Sequence, residues 1–234
     1  MKSSTEIIDR VCTFLKNQWQ THKCEVVPDA SQISLDTDAG EFEGAVLYAD
    51  MADSSELVRK YAKQFSARIY KAFLQSVCET IQNNGGSITS FDGDRVMAVF
   101  IGNRKCSDSA KTALQIKYII NQLNERIVKE CPNSPFLINY AVGVDVSDLF
   151  VVKTGIWGHN YLAWIGNAAN MAAKLSEIRG RPAKTFISKR LFERLNDNSK
   201  YNISKEGGKE CMWTRSDIEV LGQQVYESNW FWVF

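Results

Sequence analysis

The stretch Ala45-Val-Leu-Tyr-Ala-Asp50 reads as a short buried β-strand closed by a carboxylate, and Phe91-Asp-Gly-Asp94-Arg-Val-Met-Ala-Val-Phe100 sets a second aspartate against another apolar run. A carboxylate taken out of water costs several kcal/mol unless it is neutralised, hydrogen-bonded or bound to a metal. Two of them beside strands invite a divalent cation.

After Asp50, the residues Leu57, Val58, Tyr61, Phe65, Ile69, Phe73, Val77 and Ile81 recur at helical spacing and stop at Asn83-Asn84-Gly85-Gly86. Ser87 to Phe91 and Arg95 to Ile101 flank Asp92-Gly93, a strong hairpin signal that puts Asp94 at an accessible tip. A second helix follows through Ala110, Leu114, Ile116, Ile119, Ile120, Leu123 and Ile127, ending before Pro132. Strands over Leu137 to Val146 and Leu149 to Thr154 flank a turn at Ser147-Asp148, and helical spacing resumes from Asn167 to Ile178. The order β-α-β-β-α-β predicts an α+β, ferredoxin-like domain, an antiparallel sheet with helices on one face. In that arrangement the first strand lies beside the hairpin, so Asp50 and Asp94 meet on one edge.

The remaining third reads as strands at Thr185 to Ile187, Tyr201 to Ser204 and Val220 to Val233, with a short helix near Lys189 to Leu195. Trp230, Phe231 and Trp232 are expected in a core or an interface. At the other end, Ile7, Ile8, Val11, Phe14, Leu15 and Trp19 form an apolar helical stripe, whose simplest reading is packing on the main domain; dimerisation or a membrane surface are the alternatives. The chain thus divides into an N-terminal helix and linker, 1–41, and a main domain, 42–234.

With 234 residues, 44% hydrophobic and 24% charged, the composition is that of an ordinary globular protein. A net charge of +1 argues against nucleic acid as partner. No apolar run approaches the ~18 residues of a membrane-spanning helix. Met1-Lys-Ser-Ser-Thr-Glu6 lacks the apolar core of a secretory signal, so a cytoplasmic location is expected. Cys12, Cys24, Cys78, Cys106, Cys131 and Cys211 form no Cys-x-x-Cys pair, which excludes a cysteine zinc motif and a disulfide framework.

Two further segments carry candidate chemistry. Asp50 feeds a helix whose first turn is Asp53-Ser54-Ser55-Glu56, where free backbone N–H groups can hold a phosphate; Asp53 or Ser54 can equally serve as its N-cap. In Trp164-Ile-Gly166-Asn167-Ala-Ala-Asn170-Met-Ala-Ala-Lys174, the side chains of Asn170 and Lys174 share one helical face. Tyr48 alternates with Asp50 and faces the same side of its strand.

Together these elements resemble the class III nucleotide cyclases over roughly residues 42–190. Leu47-Tyr-Ala-Asp50-Met51 looks like the strand with the first metal aspartate, Gly93-Asp94 to Phe100 like the hairpin with the second, and Gly166 to Lys174 like the transition-state helix. The resemblance implies two divalent cations, manganese or magnesium, on Asp50, Asp94 and Met51, and a triphosphate along Ala52, Asp53, Ser54 and Ser55. It also implies that Asn170 orients the ribose while Lys174 stabilises charge at the α-phosphorus. Lys174 stands where the family usually has arginine, keeping the charge without the bidentate fork. Where purine cyclases read the base with a lysine and an aspartate or cysteine, this chain has Ser90 and Ala163. Loss of those contacts disfavours ATP and GTP.

The chain therefore looks most like the pyrimidine cyclases of the bacterial Pycsar antiphage system, with UTP favoured over CTP and the product activating a separate effector. Tyr48 is placed beside Ser90 and Ala163 in the base pocket. In the family the metal aspartates and the Asn-cation pair come from different subunits, so a homodimer with interfacial sites is implied. A purine cyclase with an unusual pocket, and a silent nucleotide-binding module, are the rival readings. Lys205 and Lys209 are candidates for a phosphate-binding lysine.

Overall fold

A computed structural model describes residues 3–134, 136–156, 159–203 and 207–234. In chain order the helices are α1 (Ser4–Lys16), α2 (Ser54–Lys60), α3 (Lys63–Asn83), α4 (Lys105–Glu130), α5 (Asn167–Ser176), α6 (Lys189–Glu193) and α7 (Asp197–Lys200). The strands are β1 (Gln20–Lys23), β2 (Asp38–Ala52), β3 (Ser87–Asp92), β4 (Arg95–Phe100), β5 (Asn139–Ile156), β6 (His159–Ile165), β7 (Thr185–Ser188), β8 (Tyr201–Ile203), β9 (Lys209–Cys211), β10 (Thr214–Val220) and β11 (Gln223–Ser228). The main sheet runs β10-β11-β7-β5-β2-β4-β3, with β1 joined to β2 and β6 to β5; β8 and β9 form a separate ribbon.

The spine is β2 against β5, antiparallel without a break from Ala39 opposite Val152 to Ala52 opposite Asn139. Strand alternation then sorts residues onto two faces. Ala45, Leu47, Ala49 and Met51 point into the larger core with Phe73, Val77, Leu114 and Ile120 of α3 and α4. Phe42 and Val46 point the other way, onto Ala168, Ala169 and Ala172 of α5. Helices therefore cover both faces, not one: the small residues of α5 let that short helix lie directly on the strands. Asp50 and Tyr48 belong by parity to the α5 side.

Several expected boundaries shift for identifiable reasons. The single helix expected after Asp50 is two, because Tyr61 turns extended (φ −118°, ψ 162°) and its ring packs against Phe65 and Phe136. The turn expected at Ser147-Asp148 is absent: β5 runs through it paired to Gly44 and Glu43, and the Ser147 hydroxyl accepts from the Ala168 N–H at 2.9 Å, which satisfies a polar residue inside a strand. His159–Ile165 adds strand β6 beside β5, and the final run is the hairpin β10-β11, turning at Leu221-Gly222.

The stripe of α1 does not pack on the domain. None of its residues is buried, and Leu15 is 85% exposed. Asn17 ends the helix in an extended conformation, and anchoring begins only at Trp19, whose ring sits 5.9 Å from that of Phe150.

Glu43 of β2 ties the sheet to the helices through Arg194, at 2.5 and 2.8 Å, and Lys105, at 2.8 Å. The Arg194 hydrogen bonds, helped by Lys105 and opposed by burial, lower its carboxyl from 4.5 to about 2. A carboxyl depressed in the folded state contributes stability above its unfolded value and loses it as the pH falls through the folded one. Wild type should therefore lose unfolding free energy between pH 4.5 and about 2 more steeply than Glu43→Gln; parallel acid limbs in urea titrations would refute this.

Candidate active site

The β2-β4 register sets Asp50 opposite Arg95, and the hairpin tip then brings Asp94 to the next position, its carbonyl accepting from the Met51 N–H at 3.4 Å. The hairpin tip thus brings the backbone of Asp94 beside Met51, the residue after Asp50. Asp50 is 7% exposed and carries two cationic partners: Arg95 Nε donates to it at 3.2 Å, and Arg179 Nη2, from the loop after α5, donates to its other oxygen. Arg95 also reaches Glu177 at 3.2 Å, and Glu177 receives Lys174 Nζ at 2.9 Å. One chain of charges therefore runs Arg179, Asp50, Arg95, Glu177, Lys174. Burial works against the Arg95 charge, but Asp50 and Glu177 outweigh it and raise its pKa. The Lys174 hydrogen bond, with Arg95 behind it and burial opposing, lowers that of Glu177.

Among the described residues, the Asp94 carboxylate has no ion pair and no group of three or more His, Cys, Asp or Glu side chains gathers. Two carboxylates beside a strand-end carbonyl are nonetheless a hard-oxygen donor set. It suits Mg²⁺ or Mn²⁺, which complete their shells from water and substrate phosphates. The residues fit such an ion once Arg179 and Arg95 yield Asp50.

Tyr48, Met97 and Ser90 form one row across β2, β4 and β3, and the Tyr48 hydroxyl donates to Met97 Sδ at 3.1 Å. Arg95 lies over the Tyr48 ring at 5.8 Å. Ala163 is on β6, opposite Val152. A cavity of about 370 Å³ lies between β3, β6 and the segment 27–30, lined by Pro28, Ile88, Thr89, Leu162 and Trp164; Tyr48, Ser90 and Ala163 are not part of its lining. The Trp164 Nε1 donor is buried without a partner among the described residues.

Asn170 and Lys174 stand exposed on α5 as their spacing requires. Ala52 is buried at the end of β2, and Ser54 and Ser55 open α2. That helix has only seven residues, so its dipole is small, and Asp53 sits at its start with φ 61° but caps nothing; instead it accepts from Asn139 Nδ2 at 3.3 Å. Lys184 Nζ donates to Asn139 Oδ1 at 2.7 Å. Lys209 pairs with Asp197 in the β8-β9 ribbon, away from the aspartates; Lys205 lies outside the described residues. Arg95, Glu177, Arg179 and Lys184 join the polar network around Asp50 and Asp53, and none of them was singled out from the sequence. The Asp92-Gly93 turn pairs Arg95 with Asp92, and only the long-range β2-β4 register sets Arg95 opposite Asp50.

No protein-family model matches the chain. It is 36% identical to a uridylate cyclase of Burkholderia cepacia over 92% of both chains. With a uridylate cyclase of Xanthomonas perforans it shares 34% over 96% of this chain and 97% of that one. Among solved structures it resembles a bacterial light-regulated adenylyl cyclase (TM-score 0.69, 19% identity, 82% of this chain and 52% of the other). It also resembles the adenylyl cyclase CyaB of P. aeruginosa (TM-score 0.67, 16% identity, 81% and 95%). The fold is that of the class III cyclase domains.

The placement of α5 depends on Gly143, opposite Tyr48. A Cβ there would lie 2.2 Å from the Ala172 carbonyl oxygen and 2.6 Å from Leu175 Cβ. Gly143→Ala should lower stability by about 1–3 kcal/mol, the usual cost of overpacking. An unchanged denaturation midpoint would show that α5 is not seated as described.

Proposed function

The chain belongs to the uridylate cyclase family and is a nucleotide cyclase, and from this we propose that it converts UTP to 3′,5′-cyclic UMP and pyrophosphate. The observation that carries the mechanism is the register that sets Asp94 beside Met51 and Asp50. Asp50 and Asp94, with the Met51 carbonyl, would hold two manganese or magnesium ions. Bound there, the cations supply the Lewis acidity that activates the ribose 3′-hydroxyl and neutralises the triphosphate. Asn170 orients the ribose, so that the hydroxyl attacks the α-phosphorus in line. Lys174 stabilises the charge that develops on the α-phosphoryl oxygens, and pyrophosphate leaves.

Ala52, Asp53, Ser54 and Ser55 form the turn along which the triphosphate lies. Tyr48, Ser90 and Ala163 bound the base pocket. No charged side chain stands at Ser90 or Ala163 to pair with a purine edge, and the 34–36% identity to uridylate cyclases favours uracil over cytosine.

Lys174 is engaged with Glu177 of its own chain, and both catalytic sets lie on the α5 side of the sheet. By the likeness to class III cyclases, the assembly proposed is a head-to-tail homodimer in which Asn170 and Lys174 of one protomer leave such intrachain contacts and complete the aspartate site of the other. The product is proposed to act as a second messenger of antiphage immunity through a separate effector. No helix among the described residues is long and apolar enough to cross a membrane.

Incubation with each of the four ribonucleoside triphosphates and Mn²⁺ tests the substrate. Cyclic UMP should dominate, whereas a main product of cyclic AMP or cyclic GMP sinks the pyrimidine assignment. Asp94→Ala is the cleaner mutant, because its carboxylate has no ion-pair partner to strand among the described residues; it should abolish turnover while the unfolding midpoint holds. Lys174→Ala should cost about 10²–10³ in turnover, the usual loss for one preorganised charge-stabilising group. Retained activity in either variant would refute its role.

A further inference from the structure

The charge that neutralises Asp50 has a second use available to it. Arg179 Nη1 is anchored on the last turn of α5, donating to the Ser176 carbonyl at 2.6 Å and the Ile178 carbonyl at 3.1 Å, while Nη2 is the end that reaches Asp50. The side chain is 35% exposed and can swing without unpacking a core. Five residues on, Lys184 is tethered through Asn139 to Asp53, at the head of the turn that follows Asp50. Burial lowers the Lys184 pKa, and Arg179 lowers it further while Asp53 opposes, which places all three in one local field.

A triphosphate on this turn needs positive charge. The two-turn helix α2 offers little, and of the lysines expected from the sequence, Lys209 is held elsewhere by Asp197. We infer that Arg179 exchanges partners during substrate loading: it neutralises Asp50 in the free protein, and when a divalent cation takes Asp50 its guanidinium moves to the triphosphate, joining Lys184. A dication on Asp50 removes the attraction that held Nη2 there and replaces it with like-charge repulsion. The fork that leaves the carboxylate matches phosphate oxygens equally well. Arg179 and the metal therefore compete for one carboxylate, while Arg179 and the nucleotide cooperate.

This inference rests on the cyclase reading given above, so its test separates binding from turnover. Mn²⁺ affinity is measured by electron paramagnetic resonance without nucleotide. Binding of 3′-deoxy-UTP, which lacks the attacking hydroxyl, is measured at saturating Mn²⁺. Arg179→Gln should bind Mn²⁺ about fivefold more tightly, as expected when a competing partner is removed. It should bind 3′-deoxy-UTP about tenfold more weakly, the loss of one charge-assisted contact. Lys184→Gln should weaken the nucleotide to a similar extent and leave Mn²⁺ affinity unchanged.

Equal or weaker Mn²⁺ binding by Arg179→Gln in a wild type that still makes cyclic UMP overturns the exchange but leaves the cyclase reading intact. Unaltered nucleotide binding in both variants overturns the phosphate role. A wild-type protein that binds no Mn²⁺ overturns the metal site and the exchange together.

Discussion

The carboxylate of Asp50 is nearly out of water at the end of a central strand, and the structure around it is arranged to supply countercharge. Its two guanidinium partners come from different places, Arg95 from β4 and Arg179 from the loop after α5. The interaction therefore fastens together two sheet strands and the helix on their face. Removing one partner of a buried ion pair is costly because the other charge is left uncompensated. A metal site of the kind proposed at this position would have to fold without the metal, and the two arginines supply the countercharge that lets Asp50 do so.

The same residues show which parts of the site were legible from the chain. Asp50 and Asp94 were, because each is marked by local pattern: an apolar run that stops at a charge, and an Asp-Gly turn with a carboxylate beside it. Asn170 and Lys174 were, because four-residue spacing is a property of any helix. Glu177, Arg179 and Lys184 were not, because they reach the site only after α5 has docked on Gly143 and the chain has returned into β7. Nothing in Glu-Ile-Arg-Gly-Arg-Pro-Ala-Lys184 distinguishes those charges from solvated loop residues.

The fold errors share a cause. Local polarity suggested a turn at Ser147-Asp148, but long-range pairing with β2 continues through it, since cross-strand partners outweigh local preference in a central strand. His159 to Ile165 mixes polar and apolar residues too evenly to announce β6, which exists because β5 outruns β7 and offers an edge. The α1 stripe was correctly read as amphipathic, yet amphipathicity states only that a face is apolar and not what covers it.

The ion network also constrains how two proposed sites in a dimer relate. In one protomer, Asp50 would serve one site while Lys174 of the same chain serves the other, and Glu177 and Arg95 link them through contacts of 2.9 and 3.2 Å. Glu177 cannot hold Lys174 and Arg95 without sharing its charge between them. When Asp50 is taken by a cation, Arg95 loses a partner and leans more on Glu177, which loosens the hold on Lys174. Loading one site would then favour release of Lys174 toward its proposed role in the other. In purine cyclases with arginine at the position of Lys174, the planar fork would bind such a glutamate bidentately and part from it less easily. A lysine, gripping Glu177 by a single point charge, would suit a residue held in the free protein and released in the role proposed for it.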